Sequence, residues 1–435
     1  MTELALVERV RERLARTASG DAVAPFAVET AVRSETGAVV DDVVFAALRA
    51  QVSAELTGAG PLEHLLAMPG VTDVLVTAPD SVWIDRGRGV ERVDVRFPDD
   101  GAVRRLAQRL VAASGRRLDD ACPYADASLP DGTRLHAVLP PLVPATTLSL
   151  RVLARRRFAV DELIRQGTVP PAAAGFLRAA LRARLALVLS GGTGTGKTTL
   201  LGALLAEVPP SERLLVIEDA AELVIAHPHV VRLVTRAANL EGAGAVGLRE
   251  LVRQALRMRP DRLVVGEFRG AEMVELLVAL NTGHEGGAAT VHANSAADVP
   301  ARLTALGALG GLAPEAVAPL VASALDVVVH LRRAADGQRT VDELGLLRRR
   351  AGELEVATVW SSTGGVGRAV DEFGERLARR GVVLPELPDP AAVDQRAPGA
   401  GGVIRIDAVD PPVPGAGGAV RVDATAAPEE RAWPR

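Results

Sequence analysis

The chain has 435 residues, 48% of them hydrophobic, which is enough for two or three domains with cores of their own. A net charge of −4 and an aromatic content of 3% provide no basic face and few stacking surfaces, so the composition argues against direct binding of nucleic acid. The single cysteine, Cys122, excludes an internal disulfide and fits a reducing cytoplasm. No uninterrupted apolar run approaches the roughly 20 residues of a transmembrane segment, so any membrane association is expected to come through a partner.

Residues 1–57 are predicted to form a helical N-terminal appendage. Leu6, Val10 and Leu14 recur at four-residue spacing, which places them on one helix face. The sequence of this segment indicates no chemistry.

Residues 58–158 are predicted to form a small α/β domain, because short strand patterns alternate with turns and with one helix pattern. A Pro-Asp-Gly turn leads into a strand that carries Arg134, and a strand at residues 147–152 carries Arg151. On residue type alone, each arginine is a solvated strand charge.

Residues 159–350 alternate strand and helix patterns, which is typical of a parallel sheet covered by helices on both faces. This stretch contains a complete phosphate-loop pattern between an apolar strand and an amphipathic helix. Backbone N–H groups of such a loop turn toward phosphate, its lysine reaches the β and γ oxygens, and the following threonine can bind Mg²⁺. The predicted nucleotide-binding residues are Gly191, Gly192, Thr193, Gly194, Thr195, Gly196, Lys197, Thr198 and Thr199.

Lys197 is the only lysine among the fifty lysine and arginine residues of the chain. A compact ammonium fits between phosphate oxygens in a tight loop, whereas a planar guanidinium is wider and suits a different geometry. One lysine at this position, in a chain that otherwise uses arginine, therefore supports the phosphate loop independently of the motif.

Two apolar strands after the phosphate loop end in carboxylates. The first ends in Glu218 and Asp219, and the second ends in Glu267. In open α/β sheets the ligand lies at these strand ends. A single acid there could cap a helix, but acids on two strands beside a phosphate loop predict handling of Mg²⁺ and water, with Thr198, Glu218 and Asp219 as metal ligands, partly through water.

The segment T-G-H-E-G-G-A-A-T-V-H-A-N-S brings His284, Glu285 and His292 close in sequence. The spacing is unusual for zinc, so metal binding is a weaker interpretation than sensing of phosphate. A purely structural role for His292 is equally compatible with the pattern. Four other histidines are interpreted as structural: His64, His227, His229 and His330.

The end of the chain is predicted to be less ordered. Strand patterns at 327–331 and 340–347 are predicted to form a closing hairpin. Residues 351–435 are predicted to be a C-terminal extension, which becomes rich in glycine, proline, alanine and charged residues beyond about residue 365. A Gly/Pro-rich unit at 398–408 is repeated at 414–424. Two short copies cannot form a solenoid core, so a flexible tail is expected.

Together these motifs resemble the secretion ATPases of the type II/type IV superfamily, and within it the tight-adherence (Flp) pilus assembly ATPases. The likeness extends from about Glu55 to Leu347, and Thr77-Ala78 departs from the Asn-Gly usual in the family. It rests on the segments E-L-T-G-A-G-P-L-E-H-L-L, L-P-D-G-T-R-L-H-A-V, G-G-T-G-T-G-K-T-T, V-I-E-D-A-A-E-L, L-R-M-R-P-D-R-L-V-V-G-E-F-R-G and T-G-H-E-G-G-A-A-T-V-H-A-N-S. The last three are similar to the family's Asp box, its atypical Walker B motif and its His box.

The resemblance implies a PAS-like N-terminal domain joined to a RecA-like, P-loop ATPase domain of α/β class, with ATP and Mg²⁺ as ligands. It implies that Glu267 is the catalytic carboxylate, that Glu218 acts on Mg²⁺ or water, and that His292 senses the nucleotide. Arg134 and Arg151 occupy positions of N-domain arginines that reach the nucleotide in the family.

The function expected from this resemblance is that of a cytoplasmic ATPase, assembled as a hexamer at the inner face of the membrane, that powers a Flp-type pilus through inner-membrane platform proteins. A motor for conjugative DNA transfer is the close alternative. A nucleotide-binding scaffold without hydrolysis is an alternative of another class, although the acids that hydrolysis needs are present.

Overall fold

The computed structural model describes residues 58–385 except 88, 154–155, 237 and 239–241, and a few isolated positions before residue 58. These described residues belong to one compact unit, Met1–Leu387. Apart from those positions, the predicted helical segment 1–57 lies outside the described residues, as does the repeat-containing tail beyond residue 385.

Residues 58–153, called the N-domain below, contain six of the described strands in one antiparallel sheet, in the order β3-β2-β1-β6-β5-β4. A 3-10 turn, Gly60–Leu62, precedes the first helix. The elements are α1 (Glu63–Leu66), β1 (Asp73–Ala78), β2 (Ser81–Asp85), β3 (Val90–Val93), α2 (Asp100–Ala113), β4 (Tyr124–Ser128), β5 (Arg134–Val138) and β6 (Thr147–Arg151).

Alternating side chains give the N-domain sheet one buried face. In β1 and β2, every second residue is buried, as expected for a strand with one face on a core. Helix α2 begins at an N-cap, because the Asp99 carboxylate accepts the N–H of Ala102 at 2.7 Å. It packs Val103, Leu106 and Leu110 into the same core as the sheet.

Residues 156–385, called the P-loop domain below, contain nine described strands in one sheet, in the order β15-β14-β13-β12-β7-β11-β10-β8-β9. The elements are α3 (Val160–Arg165), α4 (Pro171–Arg182), β7 (Leu187–Ser190), α5 (Lys197–Leu205), β8 (Leu214–Glu218), β9 (Val230–Val234), α6 (Leu248–Ala255), β10 (Arg262–Val265), α7 (Glu272–Asn281), β11 (Ala288–Val291), α8 (Val299–Leu309), α9 (Pro314–Ala324), β12 (Val327–Arg333), β13 (Arg339–Arg350), β14 (Glu353–Ser361), β15 (Gly365–Val366) and α10 (Val370–Ala378).

The middle of this sheet is parallel and buried on both faces. Strands β7, β8, β10, β11 and β12 pair in parallel, and β7, β8, β10 and β11 are buried along their whole length. Continuous apolar strands of this kind need a helix layer on each side. Helices α4, α5 and α10 contribute to one core and α6, α7, α8 and α9 to the other. The α/β class predicted for this stretch is therefore confirmed.

Helices α8 and α9 carry Pro300 and Pro314 in their first turns, where the missing N–H of proline costs no helical hydrogen bond. They pack Leu303 and Val317 into the second core. In the described part of the chain no single helix has the length and apolar content to cross a membrane. One bent pair, Ala296–Leu309 with Pro314–Ala324, meets these criteria only when its two halves are counted together.

The predicted C-terminal extension from residue 351 continues the sheet of this domain, and the loosening predicted beyond about residue 365 is wrong as far as residue 385. Strand β14 pairs antiparallel with β13, and β15 adds to β14 at the sheet edge. Helix α10 buries Phe373 and Leu377 completely in the core of the P-loop domain. The composition misled the prediction because a short helix with two core residues gives little periodicity among glycines and charges.

Candidate nucleotide site

The phosphate loop lies between β7 and α5 and depends on glycines with left-handed backbone angles. Gly191, Gly194 and Gly196 have φ values of +144°, +72° and +95°, which side chains rarely tolerate. A Cβ on Gly191 would lie 2.4 Å from the carbonyl oxygen of Leu331 on β12. The loop is therefore tightly held against the neighbouring strand.

Lys197, the first residue of α5, has a buried ammonium group. The lysine is only 7% exposed. Its Nζ donates hydrogen bonds to the carbonyl oxygens of Gly191 at 2.9 Å and Gly192 at 2.8 Å. Burial lowers the pKa of Lys197, and the charge of Glu267 partly opposes this shift. A buried cation at a helix N-terminus, held only by neutral carbonyl oxygens, fits the phosphate groups of a nucleotide.

A cavity of about 1880 Å³ opens beside the phosphate loop. Its lining comes from both domains and contains most of the predicted site residues, including residues 193–199 of the phosphate loop. Those that line it besides the loop are Arg134, Arg151, Glu218, Asp219, Glu267 and His292.

Glu267 lies just beyond the end of β10, between a cation and an imidazole. Its Oε2 accepts hydrogen bonds from Arg269 Nε at 2.9 Å and Nη2 at 2.7 Å, and its Oε1 is 3.1 Å from His292 Nε2. Arg269 Nη1 also lies 3.4 Å from Asp219 Oδ2, so one guanidinium connects the acids of two strand ends. Three of the predicted site residues, Glu267, His292 and Asp219, therefore lie close together in the structure.

His292 follows β11 and faces Glu267. Burial lowers its pKa, and the positive charge of Lys197 lowers it further, while the charge of Glu267 acts in the opposite direction. The imidazole is therefore neutral at neutral pH. In the tautomer with its proton on Nε2 it donates a hydrogen bond to Glu267.

Glu218 is more deeply buried than the other acids, at 4% exposure. Its Oε1 accepts the N–H groups of Glu222 at 3.0 Å and Leu223 at 2.8 Å, and its Oε2 lies 3.5 Å from Arg232 Nη1. Burial raises its pKa to about 7, despite these hydrogen bonds and the arginine. The carboxyl group therefore shapes the loop that follows β8.

The glycine before Glu267 makes room for this arrangement. A Cβ on Gly266 would lie only 3.0 Å from Glu218 Cγ. Thr290 on β11 donates from Oγ1 to the Gly266 carbonyl at 2.6 Å. Gly266 thus leaves room for the Glu218 side chain of the adjacent strand immediately before Glu267.

Arg134 and Arg151 lie side by side, because they are paired positions of β5 and β6. Arg134 Nη1 reaches across to Glu222 Oε1 in the P-loop domain at 3.0 Å. Arg151 Nε instead contacts Asp73 Oδ1 within the N-domain, also at 3.0 Å. Among the residues that the structure describes, only Arg134 of the two forms an ion pair with the P-loop domain.

The described residues offer no metal site made by protein side chains alone. Within the described residues there is no group of three or more histidine, cysteine, aspartate or glutamate side chains that could hold a metal ion. The Glu218 carboxylate is bonded to its own loop, and Asp219 lies beside Arg269. A Mg²⁺ ion on Thr198 would therefore need phosphate oxygens or water to complete its ligands.

The other residues of the His box lie away from this cavity. His284 and Glu285 precede β11 and His292 follows it, so the strand separates the two histidines. Glu285 Oε2 forms an ion pair with Arg380 at 2.8 Å. The weaker interpretation of this segment, as a metal site, therefore finds no support among the described residues.

Two residues of the site, Arg269 and Glu222, had no predicted role. Both lie inside motifs that the sequence singled out, because Arg269 follows Glu267 by two positions and Glu222 follows Glu218 by four. Their proximity in sequence to the predicted acids Glu267 and Glu218 was the signal from which a role in the site could have been predicted. What the sequence could not show is that Glu222 meets an arginine of the other domain.

A phosphate loop on a largely parallel sheet, with acids at the ends of two strands beside it, defines a P-loop nucleotide-binding protein. The chain belongs to the type II/IV secretion system protein family, whose model matches residues 55–369. Nucleotide binding follows from membership of this family.

Individual relatives cover most of the same region. The chain is 55% identical over 333 residues to a putative conjugal transfer protein of Mycobacterium tuberculosis, covering 75% of this chain and 94% of that protein. It is 35% identical over 308 residues to the type IV secretion system protein PtlH of Bordetella pertussis, covering 64% and 90% respectively. A crystal structure of the Brucella suis VirB11 ATPase with sulphate aligns at a TM-score of 0.36 with 28% identity, covering 66% of this chain and 95% of that one.

Proposed function

We propose that this protein is an ATP-hydrolysing motor. The observation that carries the proposal is the position of Glu267, which faces the cavity beside the phosphate loop and contacts both His292 and Arg269. A carboxylate there can hold and polarise the water that attacks the γ-phosphate. A scaffold that only binds nucleotide would not need this group.

The remaining residues position the substrate and neutralise its charge. The phosphate-loop N–H groups, Lys197 and the N-terminus of α5 bind the phosphates. Thr198 would hold Mg²⁺, with Glu218 and Asp219 acting through water. The ion supplies further neutralisation of phosphate charge when bound. His292 hydrogen bonds to Glu267 and so links the catalytic carboxylate to the nucleotide state.

Arg134 and Arg151 are proposed to complete the site from the N-domain. Arg134 is held by Glu222 in this structure, and a triphosphate offers a stronger partner than one carboxylate. Exchange of Glu222 for phosphate would move the N-domain with the arginine. Loss of the γ-phosphate would weaken that preference and reverse the motion.

The assembly proposed is a homo-hexamer of subunits with PAS-like N-domains, located at the inner face of the cytoplasmic membrane and acting on inner-membrane platform proteins of a Flp-type pilus. The motifs from Glu55 to Leu347 support this version. The second candidate is a motor for conjugative DNA transfer, and the name of the Mycobacterium relative, a putative conjugal transfer protein, favours it. Deletion of the gene separates them, since loss of surface fibres supports the first and loss of DNA transfer supports the second.

The activity itself is tested with Glu267→Gln. Turnover, measured as phosphate release, is expected to fall at least about 100-fold because the amide cannot act as a base. Affinity for a fluorescent ATP analogue should stay within about threefold, because the phosphate loop is unchanged. Glu353→Gln, an exposed position at the start of β14, is the matched control.

Two outcomes would contradict these assignments. Near-normal turnover of Glu267→Gln together with an inactive Glu218→Gln would transfer the catalytic role to Glu218. Absence of turnover in the unmodified hexamer, with tight ATP binding, would leave a nucleotide-binding scaffold.

A further inference from the structure

The hairpin formed by β12 and β13 contacts the phosphate loop at its base. His330 Nδ1 lies 2.9 Å from the hydroxyl of Ser190, the last residue before the loop, and both side chains are buried. The next carbonyl along β12, that of Leu331, occupies the space where Gly191 would carry a Cβ. The base of the loop therefore cannot move without the hairpin.

The same hairpin contacts the tip of the phosphate loop through Arg339. Its Nε donates a hydrogen bond to the carbonyl oxygen of Gly194 at 2.8 Å. Its Cδ lies 3.4 Å from the place where Gly196 would carry a Cβ. The arginine side chain therefore lies along the loop, in contact with it.

The hairpin also contacts the N-domain. Arg333 Nη2 donates a hydrogen bond to the carbonyl oxygen of Gly87, in the turn after β2. Arg339 Nη2 lies 3.8 Å from where Gly87 would carry a Cβ. The turn is shaped by Asp85, whose Oδ1 accepts the Gly87 N–H at 2.6 Å. Two arginines of one hairpin therefore lie between the phosphate loop and this turn.

The bond to Gly194 has a consequence for the inner face of the loop. In a trans peptide the carbonyl oxygen and the following N–H point in opposite directions. Because Arg339 holds the Gly194 oxygen, it turns the N–H of Thr195 away from the hairpin. Inward-pointing N–H groups are what a phosphate loop needs before phosphate arrives.

We propose that Arg339 is a positioning residue of the phosphate loop and that Arg333 transmits the state of that loop to the N-domain. The inference deepens the proposed motor, since it adds a second connection between nucleotide and N-domain besides Arg134. Both arginines contact neutral main-chain oxygens, and such bonds exchange more readily than ion pairs. By linkage, nucleotide binding and the position of the Gly87 turn influence each other equally.

The experiment uses the full chain and three variants. Arg339→Met keeps the length of the side chain but removes the donor, Arg339→Lys restores a donor, and Arg333→Ala removes the contact with the N-domain. Arg332→Ala is the matched control, because Arg332 lies on the same strand and pairs with Asp342 at 3.3 Å. The measurements are the Kd for fluorescent ADP and the hydrogen exchange of residues 82–93 with and without ADP.

Arg339→Met is expected to weaken ADP binding about tenfold, and Arg339→Lys to recover part of the loss, because an ammonium can reach the same carbonyl. Arg333→Ala should leave the Kd within about twofold but abolish the protection that ADP gives to residues 82–93 in the unmodified protein. Arg332→Ala should match the unmodified protein in both measurements.

The inference is overturned if Arg339→Met and Arg333→Ala both behave like Arg332→Ala. It is also overturned if Arg339→Lys binds ADP as weakly as Arg339→Met, since the donor would then be irrelevant. Neither measurement requires turnover. A protein that binds ADP without hydrolysing ATP would refute the proposed motor and still test this connection.

Discussion

Glu218 shows how burial changes the behaviour of a single carboxyl group. It is held by two loop N–H groups and an arginine, yet desolvation outweighs them and its pKa rises to about 7. The folded protein therefore binds this proton more tightly than the unfolded chain does. Its contribution to the free energy of unfolding is complete below pH 4.5, the ordinary pKa, and is lost as the pH rises through about 7.

Glu218→Gln should flatten this pH dependence. The glutamine oxygen can accept the same two N–H groups but does not ionise. Relative to the unmodified protein, the variant is expected to gain roughly 2–3 kcal/mol of unfolding free energy between pH 5 and pH 8. Urea denaturation at both pH values measures this, with Glu353→Gln as control. If the unfolding free energies of Glu218→Gln and Glu353→Gln changed equally with pH, Glu218 would not be the source of the pH dependence.

Most individual residues of the candidate site could be predicted from the sequence, because each lies in a motif whose chemistry requires that type of residue. Lys197 and Glu267 lie where a phosphate loop and a strand end require them. Glu218 differs, since the pattern could not show that its carboxylate turns toward its own loop. Arg339 was not predicted either, because a single arginine on a strand carries no pattern of its own.

Among the helices and strands, α10 has a structural role that the amino-acid composition of its segment did not indicate. The Phe373 ring packs edge-on against Phe176 of α4, with centroids 5.8 Å apart and an interplanar angle of 70°. Both side chains are fully buried. Helix α10 therefore closes one core of the P-loop domain, and a chain that ended at residue 350 would leave this core open.

Phe373→Ala is expected to destabilise the protein by about 3–5 kcal/mol, because it removes a buried aromatic ring and leaves a cavity. Val383→Ala is the comparison, since Val383 is 84% exposed and such positions change stability by at most about 0.5 kcal/mol. Thermal and urea unfolding of both variants test this. Equal stabilities would mean that α10 does not belong to the core.

Elements with strong periodicity were predicted well, including the buried strands β8 and β10 and the β12–β13 hairpin. The edge strands β4 and β9 were not predicted. Strand β4 is the sequence Tyr-Ala-Asp-Ala-Ser, whose buried positions are alanines, so its alternation is weak on any hydrophobicity scale. Strand β9 has no buried residue, which left no contrast between its two faces.

For the molecule as a whole, the position of the N-domain decides whether Arg134 and Arg151 can act. Arg134→Ala is expected to lower turnover about 10³-fold while changing nucleotide affinity much less, as for arginines delivered in other phosphoryl-transfer systems. Arg92→Ala is the matched control, since its guanidinium is exposed and donates to the Asp80 carbonyl within the N-domain. Specific activity should also rise with protein concentration as oligomers form.

The comparison that can refute this prediction is a fragment of residues 156–385. A fragment that ended at residue 350 would lack β14 and α10, so its inactivity would not test the role of the N-domain. Full activity of the longer fragment, independent of concentration, would show that the N-domain supplies no catalytic group.

Lys197 gives the molecule one further property. A chain with a single lysine has only one side-chain primary amine, and here that amine lies among the carbonyl oxygens of the phosphate loop. Acylating reagents that label most proteins at many positions therefore have one internal target, and its lowered pKa increases the fraction of reactive free amine. The occupancy of the nucleotide site can thus be followed chemically in the unaltered protein.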